Sequence, residues 1–324
     1  MRCWSRLKTR CGEIIQCYFL DYLLVLLLAT LMDFAYPYHT GLLLRIHPVH
    51  TSYVMAIKLW RPFSSRVRGV AIWIAVVLLH LLAYSLLVYS SLVNRLLFIV
   101  ISAYVLKTSF SLRLLLDIVE RVAVCLKSGD LEGARFWVRH IVRRDVKNLG
   151  EPHLASAAIE SLAESLVDGY VSPLFYYIIF GPLGALFQRI VNTLDSALGY
   201  KEPSFRDAGW FSAKVDTVVN YIPARVTGLL IAIASLASGG RIREVVKTMI
   251  KEHGRTESVN AGYPMSAMAG ALNVKLEKIG YYTINGSARW PGWSDVLRAL
   301  RVAKLAVVLW LATSVGIILI ASGL

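Results

Sequence analysis

Apolar runs long enough to cross a bilayer decide what this chain can become. A transmembrane helix needs about 20 mostly apolar residues to span a hydrocarbon core of ~30 Å. Candidate runs lie at 14–32, 70–93, 95–106, 170–191, 217–238 and 303–323. Those at 14–32, 70–93 and 303–323 are uninterrupted, whereas 95–106 reaches spanning length only by continuing into the residues after it. The run 170–191 holds Gly181-Pro-Leu-Gly184 at its middle. It is therefore either one kinked span or a re-entrant pair of half-helices, the latter tolerated only where protein or a wet cavity covers the freed backbone. The run 217–238 carries Asn220, Pro223 and Arg225 in its first third, a polar entrance to an apolar tail. The expected fold class is an all-α integral membrane protein, a polytopic helical bundle of about four to six spans. No repeat, low-complexity tract or loop of domain size occurs, so 1–324 is read as a single membrane-embedded unit.

Charge gives an orientation. The formal net charge of +14 would point to nucleic acid on a soluble protein. Here the basic residues sit in loops beside apolar runs, where they set topology and meet anionic lipid, and no nucleic-acid partner is expected. Lys and Arg number four in 1–13, nine in 107–169 and ten in 239–302, which makes these the expected cytoplasmic segments. The loop 33–69 carries five, so it is either mis-sided by this rule or folded back on the membrane surface. Within 108–148, helical apolar spacing broken at Ser128-Gly-Asp130 fits two amphipathic cytoplasmic helices. The segment 239–302 holds the basic stretch RIREVVKTMIKEH and then SVNAGYPMSAMAGAL, whose small residues at 267–272 favour close helix packing. Cys3, Cys11, Cys17 and Cys125 have neither CxxC spacing nor a metal-like partnership with the histidines and are read as ordinary buried or free thiols. The basic start followed by 14–32 is of signal-peptide type, but the run is span-length with no small-residue cleavage site, so a retained anchor is expected.

Ionisable groups are costly at a membrane and mark a site or a pairing partner. The stretch ESLAESLVDG places Glu160, Glu164 and Asp168 at helical i,i+4 spacing immediately before an apolar run. Like charges so placed repel by about 0.2–0.5 kcal/mol per pair in water. Either a bound cation sits among them or they pair with the arginines of 135–144. Other polar groups beside apolar runs are Arg143, Arg144 and Asp145; Asn192, Thr193, Asp195 and Ser196; Lys214, Asp216, Asn220 and Arg225; and Ser258 and Asn260. Carboxylate and amide oxygens suit a hard cation, and Lys and Arg suit phosphates, the make-up of a Mg-nucleotide site. Asp216 and Asn220, one turn apart, equally suit helix capping. In IHPVH, His47 and His50 either bracket a site or serve the turn beside Pro48, and His80 is expected to be satisfied by a neighbouring helix. No GxxxxGK[ST], GxGxxG, HExxH or GxSxG motif occurs, so a P-loop is excluded and any ATP is held in another way.

The order of motifs is more specific than any one of them. RRDVKNL at 143–149, ESLAESLVDGYVSPLFYY at 160–177, NTLDSALGY at 192–200, GWFSAKVDTVVNYIPAR at 209–225 and SVNAGYPMSAMAGAL at 258–272 follow one another in the chain. LMDFAYP at 31–37 and IHPVH at 46–50 precede them. Together they resemble the adenosylcobinamide-phosphate synthases of cobalamin biosynthesis, the CobD/CbiB family, over about residues 31–282. Ser165, Lys214 and Thr217 stand where that family usually has Asn, Arg and Asp. Ser reaches less far than Asn, and Lys keeps the charge but loses the bidentate fork.

The resemblance implies a multi-pass enzyme of the cell membrane with its active site facing the cytoplasm. It implies ATP-dependent amide formation between adenosylcobyric acid and (R)-1-amino-2-propanol or its O-phosphate, with ATP as co-substrate and Mg2+. Association with other membrane enzymes of the pathway is implied as well. On this reading Glu160, Glu164, Asp168, Asp195 and Asp216 are the catalytic candidates, with Glu164, Asp168 and Asp195 holding the metal. Arg144, Lys214 and Arg225 would hold phosphate or the corrinoid's acid groups, and Asn192, Ser196, Asn220, Asn260 and His47 would contact substrate. Two other readings stay open: a prenyl-type membrane transferase using Mg-diphosphate, which lacks the expected DDxxD, and a corrinoid transporter with broken helices near 181–184 and 220–225.

Overall fold

The computed structural model describes residues 20–322. In chain order, helix α1 covers 20–35, α2 Gly41–Arg45, α3 Pro48–Leu59, α4 Arg66–Ser90 and α5 Arg95–Lys107. Next come α6 Leu112–Lys127, α7 Leu131–Val138 and α8 Glu151–Leu166, which passes through a π-turn, Val167–Val171, into α9 Ser172–Leu198. Then follow α10 Arg206–Val219, α11 Tyr221–Ala234, α12 Ile242–Glu252 and α13 Val259–Leu272. A hairpin of β1 Leu276–Lys278 and β2 Tyr282–Ile284 precedes α14 Trp293–Ser322. The fold is all-α, as expected, with this hairpin the single sheet among the described residues.

Five stretches among the described residues are long and apolar enough to span: Arg66–Val93, Arg95–Lys127, Glu151–Leu198, Tyr221–Ser238 and Trp293–Ser322. The expected runs recur with shifted bounds. Of the run 14–32, residues 14–19 lie outside the described residues and 20–32 lie in α1. The run 217–238 loses its first residues to α10, because Asn220 leaves helical geometry (φ −88°, ψ 2°) and α11 starts after it. The last helix starts at Trp293 rather than near 303, so the end of the polar segment 239–302 is helical. The 48 residues of Glu151–Leu198 would make a straight rod of about 72 Å, over twice a bilayer core, so they are not one crossing. The π-turn interrupts them, and so does Gly181 (φ 70°, ψ −161°), followed by Pro182. Only glycine suits Gly181: its φ is left-handed, and a Cβ there would lie 2.6 Å from the Tyr22 hydroxyl.

The described contacts group into two units. The first comprises Met1–Phe110, Pro173–Ala213 and Leu311–Leu324. In it α4 is apolar around its whole circumference; Val76, Val77 and His80 are buried while Leu78, Leu79, Leu82 and Leu86 are exposed, the pattern of a helix with one side in lipid. His80 is satisfied as expected, its Nε2 lying 2.9 Å from Thr51 Oγ1 on α3. The core joins Ala56, Ile72, Val76, Leu186, Ile190 and Leu194. Gly69 lets α4 meet α10, since a Cβ there would lie 2.0 Å from the Ala208 carbonyl oxygen.

The second unit comprises Ser111–Ser172 and Lys214–Trp310. Its centre is α8, buried almost continuously from Leu154 to Leu166, and α13, buried over most of Asn260–Leu272. The helices α6, α7, α11 and α12 and the hairpin pack around them. The two amphipathic helices of 108–148 are α6 and α7, separated at Gly129 (φ 76°) and restarted by Asp130, whose Oδ1 accepts from Gly133 N at 2.8 Å. The small-residue run 267–272 does pack closely, Gly270 lying against Val245 and Thr248 of α12. Cys125 is a free thiol on α6; the other cysteines lie outside the described residues.

Candidate functional site

The acidic face of α8 belongs to the second unit, and its members have different surroundings. Glu160 is 5% exposed. Its Oε1 accepts from Arg144 Nη2 at 3.2 Å and from Ser156 Oγ at 2.5 Å, and its Oε2 accepts from the Tyr282 hydroxyl at 2.7 Å. Ser156 in turn accepts from the backbone N–H of Glu277 at 2.8 Å, so one carboxylate ties α8 to the loop after α7 and to both hairpin strands. Such a charge is fully satisfied, the condition under which burial is tolerated. Burial, and then the Glu160 carboxylate, raise the Tyr282 hydroxyl well above the usual tyrosine range, keeping it a donor.

Glu164, one turn on, is exposed in a helix that is buried from Leu154 to Ala163. The charges that act on it are Glu160, Lys278, Arg143 and Asp216. Lys278 comes from β1 directly opposite Tyr282 of β2, so the pair shares one face of the hairpin. Arg144 and Lys278 also line a cavity of about 180 Å³ with His153 and Tyr281. Asp168 is half-buried on the π-turn, where the widened turn departs from the α register that stacks Glu160 over Glu164.

The motifs after α9 close the same unit. Asn220 Nδ2 donates to Asp216 Oδ1 at 2.8 Å, and Ser172 Oγ donates to Asn220 Oδ1 at 2.6 Å. Asn220 thus joins the π-turn's end to the α10–α11 corner, and its side chain makes no cap. Asn260 Nδ2 donates to the Thr217 carbonyl at 2.9 Å. Arg225 lies over the rings of Tyr221 and Tyr263, 3.3 and 4.3 Å from their centroids, and donates to the Tyr221 carbonyl. Lys214 and Thr217 are exposed, and Ser165 is half-buried.

The first unit carries the remaining candidates. Arg189 of α9 faces Asn192, with Nη1 3.5 Å from Oδ1, and its charge also acts on His47. The structure therefore brings NTLDS and IHPVH together. His47 caps α3, its Nδ1 accepting from Val49 N at 3.3 Å, and its ring stands 4.4 Å from that of His39. Asp195 and Ser196 are half-buried near the end of α9, and the Asp195 carboxylate folds over Gly199, where a Cβ would lie 1.9 Å from Oδ1.

Asp195 and the carboxylates of α8 thus fall in different units, and among the described residues no three His, Cys, Asp or Glu side chains gather as a preformed metal cage. The donor set around Glu164 nevertheless fits a phosphate-bound Mg2+, which takes one or two carboxylates and completes its octahedron with phosphate and water. Glu164 and Asp216 are the carboxylates, with Arg143 and Lys278 as phosphate-compatible cations. Sequence reading missed Lys278 and Tyr282 because the Gly/Tyr-rich stretch around them has no helical pattern. It also missed His39, Lys107 and Arg189, whose only signal is an ionisable side chain beside an apolar run.

The family model for the CobD/Cbib protein matches residues 26–312. A probable cobalamin biosynthesis protein CobD from Aeropyrum pernix is 49% identical over 86% of this chain and 88% of its own length. Proteins of the same description from Thermoplasma volcanium and Methanothermobacter thermautotrophicus are 41% and 35% identical, covering 81% and 91% of this chain and 86% and 98% of their own lengths. No solved structure matches. With the motif order, this agreement over nearly the whole described chain shows that the protein is a multi-pass membrane member of the CobD/CbiB family of cobalamin biosynthesis.

Proposed function

We propose that the protein joins adenosylcobyric acid to (R)-1-amino-2-propanol or its O-phosphate in an ATP-dependent amide ligation at the cytoplasmic membrane, with the site open to the cytoplasm. The observation that carries this reading is Glu164, exposed on α8, on which the charges of Glu160, Lys278, Arg143 and Asp216 act. Amide formation from a carboxylate and an amine is uphill in water. The corrinoid carboxylate oxygen attacks the γ-phosphorus of ATP, the bond to ADP breaks, and an acyl phosphate results. The neutral amine then attacks the acyl carbon, and inorganic phosphate leaves.

Four roles fall to this chain's residues. Arg143 and Lys278 hold phosphate oxygens, and Glu164 takes the ammonium proton or orients the amine. Asp216 would hold Mg2+, which when bound neutralises phosphate charge, and this leaves Glu164 for the amine. Glu160, with both carboxylate oxygens hydrogen-bonded, positions Arg144 and Tyr282. Purified protein given ATP, Mg2+, adenosylcobyric acid and either amine should yield a product whose mass identifies the amide. Corrinoid binding without ATP consumption by a folded sample would replace this reading with transport or binding.

A further inference from the structure

The first unit carries a cluster of polar groups that the proposed reaction does not use. His39, on the segment between α1 and α2, has its ring centroid 4.4 Å from that of His47 and 6.1 Å from that of Tyr104 on α5. Two buried polar atoms there, His39 Nε2 and the Tyr104 hydroxyl, have no hydrogen-bond partner. A buried polar atom left unsatisfied is costly, and in a native protein it points to something that completes it. His47 has its tautomer set. Its Nδ1 accepts from Val49 N, so its proton sits on Nε2, which is a donor.

The field here is positive. Lys107 acts on both imidazoles and Arg189 on His47. The nearby carboxylate, Asp33, is tied to Lys107 at 3.5 Å with both side chains buried. Burial and then Lys107 depress His39 to about 4. Burial, His39, Arg189, Lys107 and His50 depress His47 to about 3. Both rings are therefore neutral near pH 7 and able to donate. A metal cation would meet Arg189 and a Lys107 already paired with Asp33; an oxyanion would meet hydrogen-bond donors and the field of those two cations.

We infer that His39, His47 and Tyr104, in the field of Lys107 and Arg189, form a binding site for a phosphate oxyanion, free or esterified. The site uses residues of the first unit alone and does not depend on the reaction assigned above. The occupant is a soluble phosphate compound or a lipid headgroup phosphate, which share this chemistry.

The test uses full-length protein in nanodiscs of neutral phosphatidylcholine. Thermal unfolding is followed as inorganic phosphate or O-phosphoethanolamine is titrated, with ethanolamine as control. A second series replaces part of the lipid with phosphatidylglycerol. A midpoint that rises with either phosphate compound in neutral nanodiscs, with apparent affinity about tenfold weaker in Tyr104→Phe, supports a soluble oxyanion. Stabilisation by phosphatidylglycerol alone, lost in Tyr104→Phe, supports the lipid phosphate. His47→Asn keeps a helix-capping oxygen while removing the imidazole donor, and should weaken binding in the same way. No response to any phosphate-bearing probe, or a response unchanged in both variants, overturns the assignment.

Discussion

Arg144 and Glu160 form a buried ion pair, with Nη2 3.2 Å from Oε1 and the two side chains 17% and 6% exposed. The pair joins the loop after α7 to the middle of α8, where Ser156 and Tyr282 complete the carboxylate's shell. A buried pair of this kind adds little net stability when intact, but losing one partner leaves an uncompensated charge.

Arg144→Met should therefore destabilise the protein by about 3 kcal/mol, within the range for breaking a buried pair. Unfolding in detergent would show a lowered midpoint. If the variant melts with wild type, the pair does not anchor the hairpin.

Glu164→Gln should behave in the opposite way. The residue is exposed and the substitution keeps its shape, so the melting midpoint should stay within a few degrees of wild type. Amide formation should fall by about 100-fold or more, the usual contribution of a positioned proton-transfer group. Near-normal turnover would remove Glu164 from the chemistry and shift attention to Asp216.

The surroundings of two helical glycines make a paired prediction. A Cβ on Gly262 would lie 1.8 Å from the His253 carbonyl oxygen, whereas a Cβ on Gly316 would meet nothing within 4 Å. Gly262→Ala should cost about 1–3 kcal/mol through overpacking against backbone, while Gly316→Ala should be neutral or mildly stabilising in α14. Equal melting midpoints for the two variants would contradict the close approach at Gly262.

What the sequence disclosed follows from how its signals travel. Apolar length locates the spanning helices, because a bilayer demands it wherever the helix sits. Gly181-Pro182 marks a break because its cause is local. The acidic face of α8 is legible as a face, but the division of labour within it is not. Glu160 is satisfied by Tyr282, more than 100 residues away, and that partner lies in a short hairpin with no helical period. Asp195 shares a motif style with the acids of α8, yet the chain folds it into the other unit. Motif order does not report unit membership, since spacing along a membrane chain does not fix which helices pack together within a unit. The joining of IHPVH to NTLDS through Arg189 was hidden for the same reason.

The depressed histidines predict an acid-side loss of stability with a defined window. The folded pKa of His39 is about 4 and that of His47 about 3, against the ordinary histidine value of 6.5. Below pH 6.5 the unfolded chain takes up protons at these positions that the folded protein refuses. Their contribution is therefore fully present above about pH 6.5, declines as pH falls, and is lost by the time the folded values near 4 and 3 are passed. The His39→Asn, His47→Asn double variant removes both titrations while Asn retains a helix-capping oxygen at residue 47. Its melting midpoint should fall less than that of wild type between pH 7 and pH 4.5. Carboxylates elsewhere titrate in both proteins and cancel in the comparison. Parallel curves for the two proteins would mean that the imidazoles protonate freely in the folded state, and that neither burial nor the charges of Lys107 and Arg189 hold them neutral.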